Sequence, residues 1–572
     1  MHRMRYLMTA VVALGAVACG DPLSYTNPNS PDKTLALSRP TDVENLIAGA
    51  YNTAYNAMHG PSSGGSTGNL GVQMLSASFE SYSALGNYNM GVRAAMPRVM
   101  IDNSRGAPPS ENPGSAYDFL RLERGARSAA LGLTSLNKPG FYISPGSDAR
   151  NARARAFAHF VKGYALGNLA LAYDSAAVIT EYDDPAVVPP LVQYDSLMRA
   201  ALFFLDSAIT IASGAQPAGP ASDWFPFPAS WMDQTTPTNM TAANFVAFIR
   251  GLKARFRAEV ARTPAERAAV NWAAVVADGQ AALGTDFIMG LNYGANWGEA
   301  MIGNNNRYSS WAQANFFMLA FADTSHTGTV YQFDTWLATT PVYNRLPFLV
   351  QTPDKRLPAG ATRALQNAVT ASGAFNFPYY RNRPATQDNP GDPLTFGYYD
   401  HFRFLPTANA SNEVGPWTYY TRAETNLLIA EGLIRQGQVA NALPWIDSTR
   451  VRAGLPALVG SGITDTIARV PGGTACVPRI PDKAQSYKGT ICGNVWEAMK
   501  YEMRLETAYT GWGEWFFHER GWGDLPEGTP VHWPVPYSEM DARVRPFYNM
   551  GGVGQPGGSA RGTYGLWGGG LY

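Results

Sequence analysis

A cysteine near the amino terminus has the surroundings of an acylation site. Residues 14–20 read LGAVACG, so Cys19 follows a short apolar run and lies between small residues, with basic residues further upstream. This is the layout of a secretory signal peptide, and it resembles a bacterial lipobox in which Ala16 replaces the usual Leu. We predict cleavage after Ala18 and acyl chains on the thiol and amino group of Cys19. The alternative is an ordinary secreted protein with a cysteine there by chance.

Acylation of Cys19 would fix the protein to a membrane surface. Each buried methylene contributes about 0.8 kcal/mol, so two or three acyl chains anchor a protein almost permanently. We therefore predict a signal peptide over residues 1–18 and a lipidated tether over residues 19–40, where four prolines favour an extended chain.

Two loop segments combine aromatic rings with amides, the side chains that suit a sugar ligand. Rings stack on the apolar faces of sugars, and amides pair with their hydroxyls. The first cluster is Tyr82, Asn87, Tyr88 and Asn89, and the second is Trp297, Asn304, Asn305, Arg307, Tyr308 and Trp311. From these we predict ligand contacts at Tyr82, Asn87, Tyr88, Trp297, Asn305, Tyr308 and Trp311. For each ring the alternative is core packing, as it is for a third group, Trp224, Phe225, Phe227 and Trp231.

The other reactive side chains do not form a catalytic pattern. The sequence contains no H-E-x-x-H, P-loop, G-x-S-x-G or C-x-x-C motif, and its seven histidines are scattered. We predict no catalytic residue, no metal, no cofactor and no enzymatic activity.

Apart from Cys19, two cysteines remain. An exported chain meets an oxidising compartment, so we expect Cys476 and Cys492 to form a disulfide, which for a loop of this size contributes roughly 3 kcal/mol. Free thiols or a metal site are the alternatives.

Composition excludes some partners. Removing residues 1–18 deletes two arginines, so Lys+Arg falls from 44 to 42 against 44 acids. A nearly neutral chain argues against nucleic acid as a partner, since nucleic acid requires a basic excess. Aromatic residues are 12% of the chain and charged residues 15%, a balance that suits neutral, hydroxyl-rich ligands or simply a large core.

Apolar residues at spacings of three and four predict paired helices. One predicted helix opens at Thr41, with Glu44 at its third position. The other predicted helices cover residues 152–173, 194–212, 245–262, a segment that opens at Thr263 and carries Trp272, 421–436 and 439–452. The last two, closed by Gly437 and Gly454, span 34 residues, the length of a tetratricopeptide unit. Long Gly-, Pro-, Asn- and aromatic-rich stretches separate the pairs, at roughly 60–115, 213–240, 290–410 and 456–495. We predict one domain over residues 41–550 and an irregular Gly-rich tail over 551–572.

Three blocks together resemble the SusD/RagB family of outer-membrane nutrient-binding lipoproteins. They are RARAFAHF at 153–160, RAETNLLIAEG at 422–432 with IDSTRVRAGL at 446–455, and YEMRLET at 501–507 with GWGDL at 521–525 and WPVP at 533–536. They occur in the family's order over nearly the whole chain. Glu506-Thr507 replaces the family's Glu-Gly, a departure typical of a divergent branch. Read from the residues alone, the charges in these blocks are mainly structural, for example an i,i+4 pair of Glu431 and Arg435.

The resemblance implies a mainly α fold, with tetratricopeptide-like helix pairs packed against a large irregular, loop-rich region. It also implies a lipid-anchored protein of the outer membrane, at the cell surface, that delivers glycans or other oligomers to a SusC-like TonB-dependent transporter. Ligand residues vary within the family, so none is implied here. The alternative function is a scaffold lipoprotein that uses its helical repeats to hold an envelope protein complex.

The acylation hypothesis predicts the behaviour of one substitution. Cells fed a labelled fatty acid should incorporate the label into the wild-type protein and not into Cys19→Ala, because the thiol and the processed amino group are the acceptors. Gel fluorography of the immunoprecipitated protein measures this. Equal labelling of both proteins would show that Cys19 is not the anchor.

Overall fold

The structure is a computed structural model, and it describes residues 36–60, 69–107, 112–184, 187–233, 240–306, 311–369, 376–388 and 397–567. Cys19 and most of the predicted tether lie outside these residues.

The described α-helices are α1 (Pro40–Met58), α2 (Leu70–Ala77), α3 (Met90–Ala94), α4 (Asn112–Leu136), α5 (Asp148–Ala172), α6 (Tyr194–Ser213), α7 (Ala242–Glu259), α8 (Pro264–Ala268), α9 (Trp272–Gln280), α10 (Phe316–Leu319), α11 (Gln332–Ala338), α12 (Arg363–Asn367), α13 (Leu405–Asn409), α14 (Arg422–Arg435), α15 (Val439–Arg450), α16 (Val495–Thr507), α17 (Glu514–Trp522) and α18 (Tyr537–Ala542). Short 3₁₀ turns and a π-helix, Met301–Asn306, connect them.

The described strands form antiparallel pairs only: β1 (Ser81–Tyr82) with β5 (Gln313–Ala314), β2 (Ser175–Ala177) with β3 (Leu191–Gln193), β4 (Phe287–Leu291) with β10 (Gly415–Tyr420), β6 (His326–Thr327) with β7 (Val330–Tyr331), β8 (Tyr380–Asn382) with β9 (Tyr399–His401), and β11 (Arg479–Pro481) with β12 (Thr490–Cys492). Each pair closes a loop, and none extends into a larger sheet in the described part of the chain.

The predicted fold class is confirmed, because helices pack against one another in series along most of the chain. α4 packs on α5, α5 on α6, α6 on α7, α7 on α9, α9 on α14 and α14 on α15. In α6, Leu197, Ala201, Leu205 and Ala208 are buried at spacings of three and four. By length and composition α6 could cross a membrane, but its apolar side packs against α5 and α7.

Several helix ends lie where the sequence predicted them, at positions that carry a recognisable capping residue. The Thr421 hydroxyl accepts from the Glu424 N–H (2.9 Å) at the start of α14, and Gly437 follows its end with a φ of +74°. The predicted helix that opens at Thr263, in contrast, is two helices. Thr263 caps α8, and Asn271 caps α9 by accepting from the Ala274 N–H at 3.1 Å.

Several described helices lie outside those predicted from the sequence, among them α2 and α4. α2 lies inside the stretch that we expected to be a loop. α4 was missed although it carries buried apolar residues at spacings of three and four: Phe119, Leu122, Ala126, Ala129, Leu133 and Leu136. α4 also meets α1 through small residues. A Cβ on Gly125 would lie 2.9 Å from the Ala54 Cβ, and one on Gly132 would lie 2.3 Å from the Ile47 side chain. These glycines therefore allow α4 and α1 to pack in close contact.

The loop-rich region has a hydrophobic core of its own. Phe316, Phe317, Trp336, Tyr379 and Tyr380 belong to it, and it is distinct from the main helical core. The segment predicted as a separate tail joins this second core through Tyr564 and Leu566. Cys476 and Cys492, the pair expected from the sequence, are joined in a disulfide beside β11 and β12.

Buried charge pairs join the elements that the three family-like blocks form. Arg267 donates to both oxygens of Glu431 (2.9 and 2.7 Å), and the Arg435 Nε also donates to Glu431 at 2.9 Å. The buried Glu506 also pairs with Arg452, whose side chain is 45% exposed, at 2.6 Å. These contacts link one segment of the fold to another. They agree with the prediction that the charged residues of the family-like blocks are mainly structural.

Candidate ligand-binding site

The pairing of β1 with β5 brings the two predicted aromatic clusters together. Tyr82 lies opposite Gln313, and the Ser83 hydroxyl donates to the Trp311 carbonyl, 228 residues away in the chain. Asn87 and Trp311 are half-buried beside this junction, and their contact with a ligand remains a prediction. Asn305 lies in the π-helix, but its side chain, like all of Tyr308, is outside the described residues.

Three of the predicted contact rings are buried. Trp297 is 1% exposed, and its ring lies 5.1 Å from Tyr55 and 6.0 Å from Tyr51, centroid to centroid. Tyr82 and Tyr88 are 8% and 5% exposed. Burial of this extent favours the core-packing alternative for the three rings, and their contact with a ligand remains a prediction. The neighbouring Asn296 serves the fold, since its carbonyl accepts from Asn52 and Asn56 of α1.

A recess beside α11 has the chemistry that we expected of a ligand site. Its volume is about 360 Å³. The lining side chains are all uncharged and combine amides, hydroxyls and apolar groups: Gln332, Thr335, Trp336, Thr339, Asn344, Leu346 and Phe348.

The geometry of α11 places one wall of this recess. Positions 332, 335, 336 and 339 follow the three- and four-residue spacing of one helix face. The helix starts where Asp334 accepts from the Tyr331 N–H at 3.1 Å. Arg345 holds the opposite segment, because its guanidinium donates to the Leu337 carbonyl (2.8 Å) and the Thr339 carbonyl (3.1 Å).

Trp336 is the central side chain of the recess. It is 3% exposed, with its ring centroid 5.5 Å from Phe316 and 5.0 Å from the Arg345 guanidinium carbon. Its indole N–H has no hydrogen-bond partner within the part of the chain that the structure describes. A buried donor without a partner costs roughly 1–3 kcal/mol, so an acceptor oxygen that reached this N–H would relieve that cost.

Exposed apolar side chains extend the recess outward. Tyr343 and Leu346 are 74% and 77% exposed, next to Asn344 in the chain. They offer contact area to a ligand longer than the recess.

Sequence reasoning missed this site because we selected aromatic residues with an asparagine close by in the sequence. The helical spacing of Gln332, Thr335, Trp336 and Thr339 was the available signal.

A buried cluster of three glutamates and one histidine near α17 has the residue types of a metal centre. One ligand atom from each of Glu259, Glu424, Glu514 and His518 lies within 4.8 Å of the others. The Arg267 guanidinium donates to His518 Nδ1 at 3.1 Å, so the neutral ring carries its proton on Nε2, which faces Glu259 Oε1 at 3.3 Å. A protonated nitrogen cannot ligate a metal. The two oxygens of Glu424 are bound by Arg255 (2.7 and 2.6 Å). The set therefore fits proton sharing and not a cation.

Burial controls protonation in this cluster. Burial, followed by the nearby Glu514 carboxylate, raises the pKa of Glu259 well above its ordinary value. Burial also lowers the pKa of His518 well below its usual range, helped by Arg267 and Arg255. Glu431 is the opposite case. Burial raises its pKa, but the charges and hydrogen bonds of Arg267 and Arg435 together outweigh burial, and the pKa of Glu431 is lowered overall.

Comparison with known proteins gave matches among solved structures. No protein-family model matches the chain, and no curated protein matches it. The chain is similar to a SusD superfamily protein from Bacteroides vulgatus ATCC 8482, at 12% identity over 85% of this chain and 89% of that chain, with a TM-score of 0.49. A SusD/RagB family protein from Bacteroides thetaiotaomicron VPI-5482 has 13% identity over 88% and 94%, with a TM-score of 0.48. A laminarin-binding SusD-like protein has 13% identity over 90% and 99%, with a TM-score of 0.44. Structural neighbours of the chain thus include members of the family that its sequence blocks resemble.

The packing of Trp297 in the main core is testable. Trp297→Ala should lower the free energy of unfolding by about 3–5 kcal/mol, because it opens a cavity in the main core. Urea unfolding followed by circular dichroism measures this. Unchanged stability together with lost ligand binding would place Trp297 in the ligand site.

The two buried glutamates should respond differently to amide substitution. Glu259→Gln imitates the protonated form and should be nearly neutral at pH 5. A raised pKa means that the folded chain holds a proton that the unfolded chain releases above about pH 4.5, so this stability is lost as pH rises. The loss should be smaller in Glu259→Gln than in the wild type.

Glu431→Gln is the matched control. It should cost roughly 3–5 kcal/mol at pH 7, because the Arg267 charge is left buried without its partner. Urea unfolding at pH 5 and pH 8 measures both variants. An equal cost for the two substitutions would contradict the assignment of a proton to Glu259.

Proposed function

We propose that the protein is an outer-membrane lipoprotein that binds a neutral oligosaccharide and delivers it to a TonB-dependent transporter. The observation that carries the binding part is the uncharged recess at Trp336, with its unpartnered indole N–H. The anchor and the transporter are supported by the lipobox-like residues before Cys19 and by the sequence resemblance to SusD/RagB proteins.

The recess favours a neutral ligand for an electrostatic reason. An anionic sugar would lose its hydration and find no cationic side chain among the lining residues. The nearby Arg345 guanidinium is buried and already donates to the Leu337 and Thr339 carbonyls. Hydroxyl groups, in contrast, can pair with Gln332, Thr335, Thr339 and Asn344. The volume is at the lower end of the range for small-molecule sites, about 300–1,000 Å³. It suits a short part of a chain, whose remainder would contact Tyr343 and Leu346.

A preformed site supports capture without catalysis. Trp336 is fixed by aromatic neighbours, and Arg345 ties the facing segment to the end of α11. The order of the recess therefore does not depend on the ligand, which reduces the entropy cost of binding. Within the described residues that line it, no carboxylate is available as an acid or a nucleophile.

Calorimetry against neutral oligosaccharides, including laminarin, tests this function. Trp336→Phe keeps the ring and removes the donor, so it should weaken the best ligand about fivefold to tenfold, the value of roughly one net hydrogen bond. Trp445→Phe, a half-buried tryptophan on α15, is the control and should bind normally. No binding by the wild type would contradict the glycan proposal. Binding that is unaffected by Trp336→Phe would move the site elsewhere.

A further inference from the structure

A second recess lies at the end of the α4–α5 hairpin. Its volume is about 380 Å³. Its walls are the segment 136–142, which follows α4, and the first two turns of α5, and Pro217 closes it. Unlike the recess at Trp336, it carries charged side chains.

Two cations line this recess. Lys138 is exposed and has no ion-pair partner among the residues described. Arg155 donates through Nη2 to the Leu136 carbonyl, while its Nε is buried and has no hydrogen-bond partner in the described part of the chain. The acid in the lining is Asp148, which is exposed. Two cations and one carboxylate leave an excess of one positive charge.

The recess is built before any ligand arrives. Asn151 on α5 donates to the Phe141 carbonyl at 2.7 Å and accepts from the Ile143 N–H at 2.8 Å. These bonds hold the segment 141–143 against the helix. Phe141 and the partly exposed Tyr142 then provide aromatic surface next to the cations.

The amino-terminal end of the described chain lies beside this recess. The Ser135 hydroxyl donates to the Leu37 carbonyl at 2.8 Å, and the next residue, Leu136, lines the recess. Residue 36 is 17 positions after Cys19, a span of at most about 60 Å when extended. If Cys19 is acylated, the recess lies within that reach of a membrane surface.

We propose that this recess binds a phosphomonoester, carried either by a lipid headgroup or by a soluble sugar. A phosphomonoester has close to two negative charges and three acceptor oxygens at neutral pH. Guanidinium groups recognise such oxygens with directed, charge-assisted hydrogen bonds, and Lys138 adds a second charge. The aromatic rings contact the group that bears the phosphate. Binding of a phosphate requires only the residues of this recess. Binding of a lipid headgroup also requires the membrane anchor that we propose under the function of the protein.

Hydrogen exchange of the segment 136–142, with the acylated full-length protein in neutral phosphatidylcholine nanodiscs, tests the proposal. Glucose 1-phosphate should slow exchange there, and glucose should not. In a second arm, nanodiscs containing phosphatidic acid should slow it without added ligand. Protection by glucose 1-phosphate alone identifies a soluble source, and protection by phosphatidic acid identifies the headgroup. Protection in neither arm overturns the proposal.

Charge substitutions separate the recess from general electrostatic attraction. Arg155→Gln should weaken glucose 1-phosphate binding about tenfold or more, the size expected for a charge-assisted hydrogen bond. Lys138→Gln should weaken it severalfold and, at an exposed position, should leave the fold intact. Lys488→Gln, an exposed lysine in the β11–β12 loop, makes the same charge change elsewhere and should bind like the wild type. An equal loss in Lys488→Gln would contradict a specific site.

Discussion

The packing of the helices depends on buried charge pairs that join one element to another. Arg267 with Glu431 joins α8 to α14, Arg255 with Glu424 joins α7 to α14, and Arg504 with Glu519 joins α16 to α17. A lone buried charge is strongly unfavourable, whereas a paired one with well-placed hydrogen bonds is tolerated. Each pair therefore permits few arrangements of its two elements. Arg356, bound to Asp354 and to Glu502 of α16, extends the same constraint into the loop-rich region.

This constraint explains how irregular segments can hold a binding site. The loop-rich region is fixed to the helices by charge pairs, and inside it aromatic rings form a second core. Trp336 belongs to that core and also lines the recess. The recess is thus an opening in a packed interior and has defined walls. Its uncharged lining contrasts with the cationic recess at the end of the α4–α5 hairpin, so the two could take ligands of different charge.

Sequence patterns predicted the fold better than the site. Helices such as α6 and α14 were predictable because apolar spacing and caps are local properties. α4 carries the same apolar spacing and was overlooked, whereas the glycines at its contact with α1 have a role that is visible only in the packed pair. The structural reading of Glu431 and Arg435 was correct, since an i,i+4 pair is also local. Trp297 and Trp336 differ in what surrounds them in space, and no local pattern distinguishes a core ring from one that lines a recess.

The central claim is that a neutral oligosaccharide binds at Trp336. A crystal structure of the protein with the tightest-binding oligosaccharide tests it most directly. The account predicts sugar density beside α11, with a ligand oxygen within hydrogen-bond distance of Trp336 Nε1 and sugar rings against Leu346 or Tyr343. A sugar bound at another surface, with the recess at Trp336 unchanged, would contradict it.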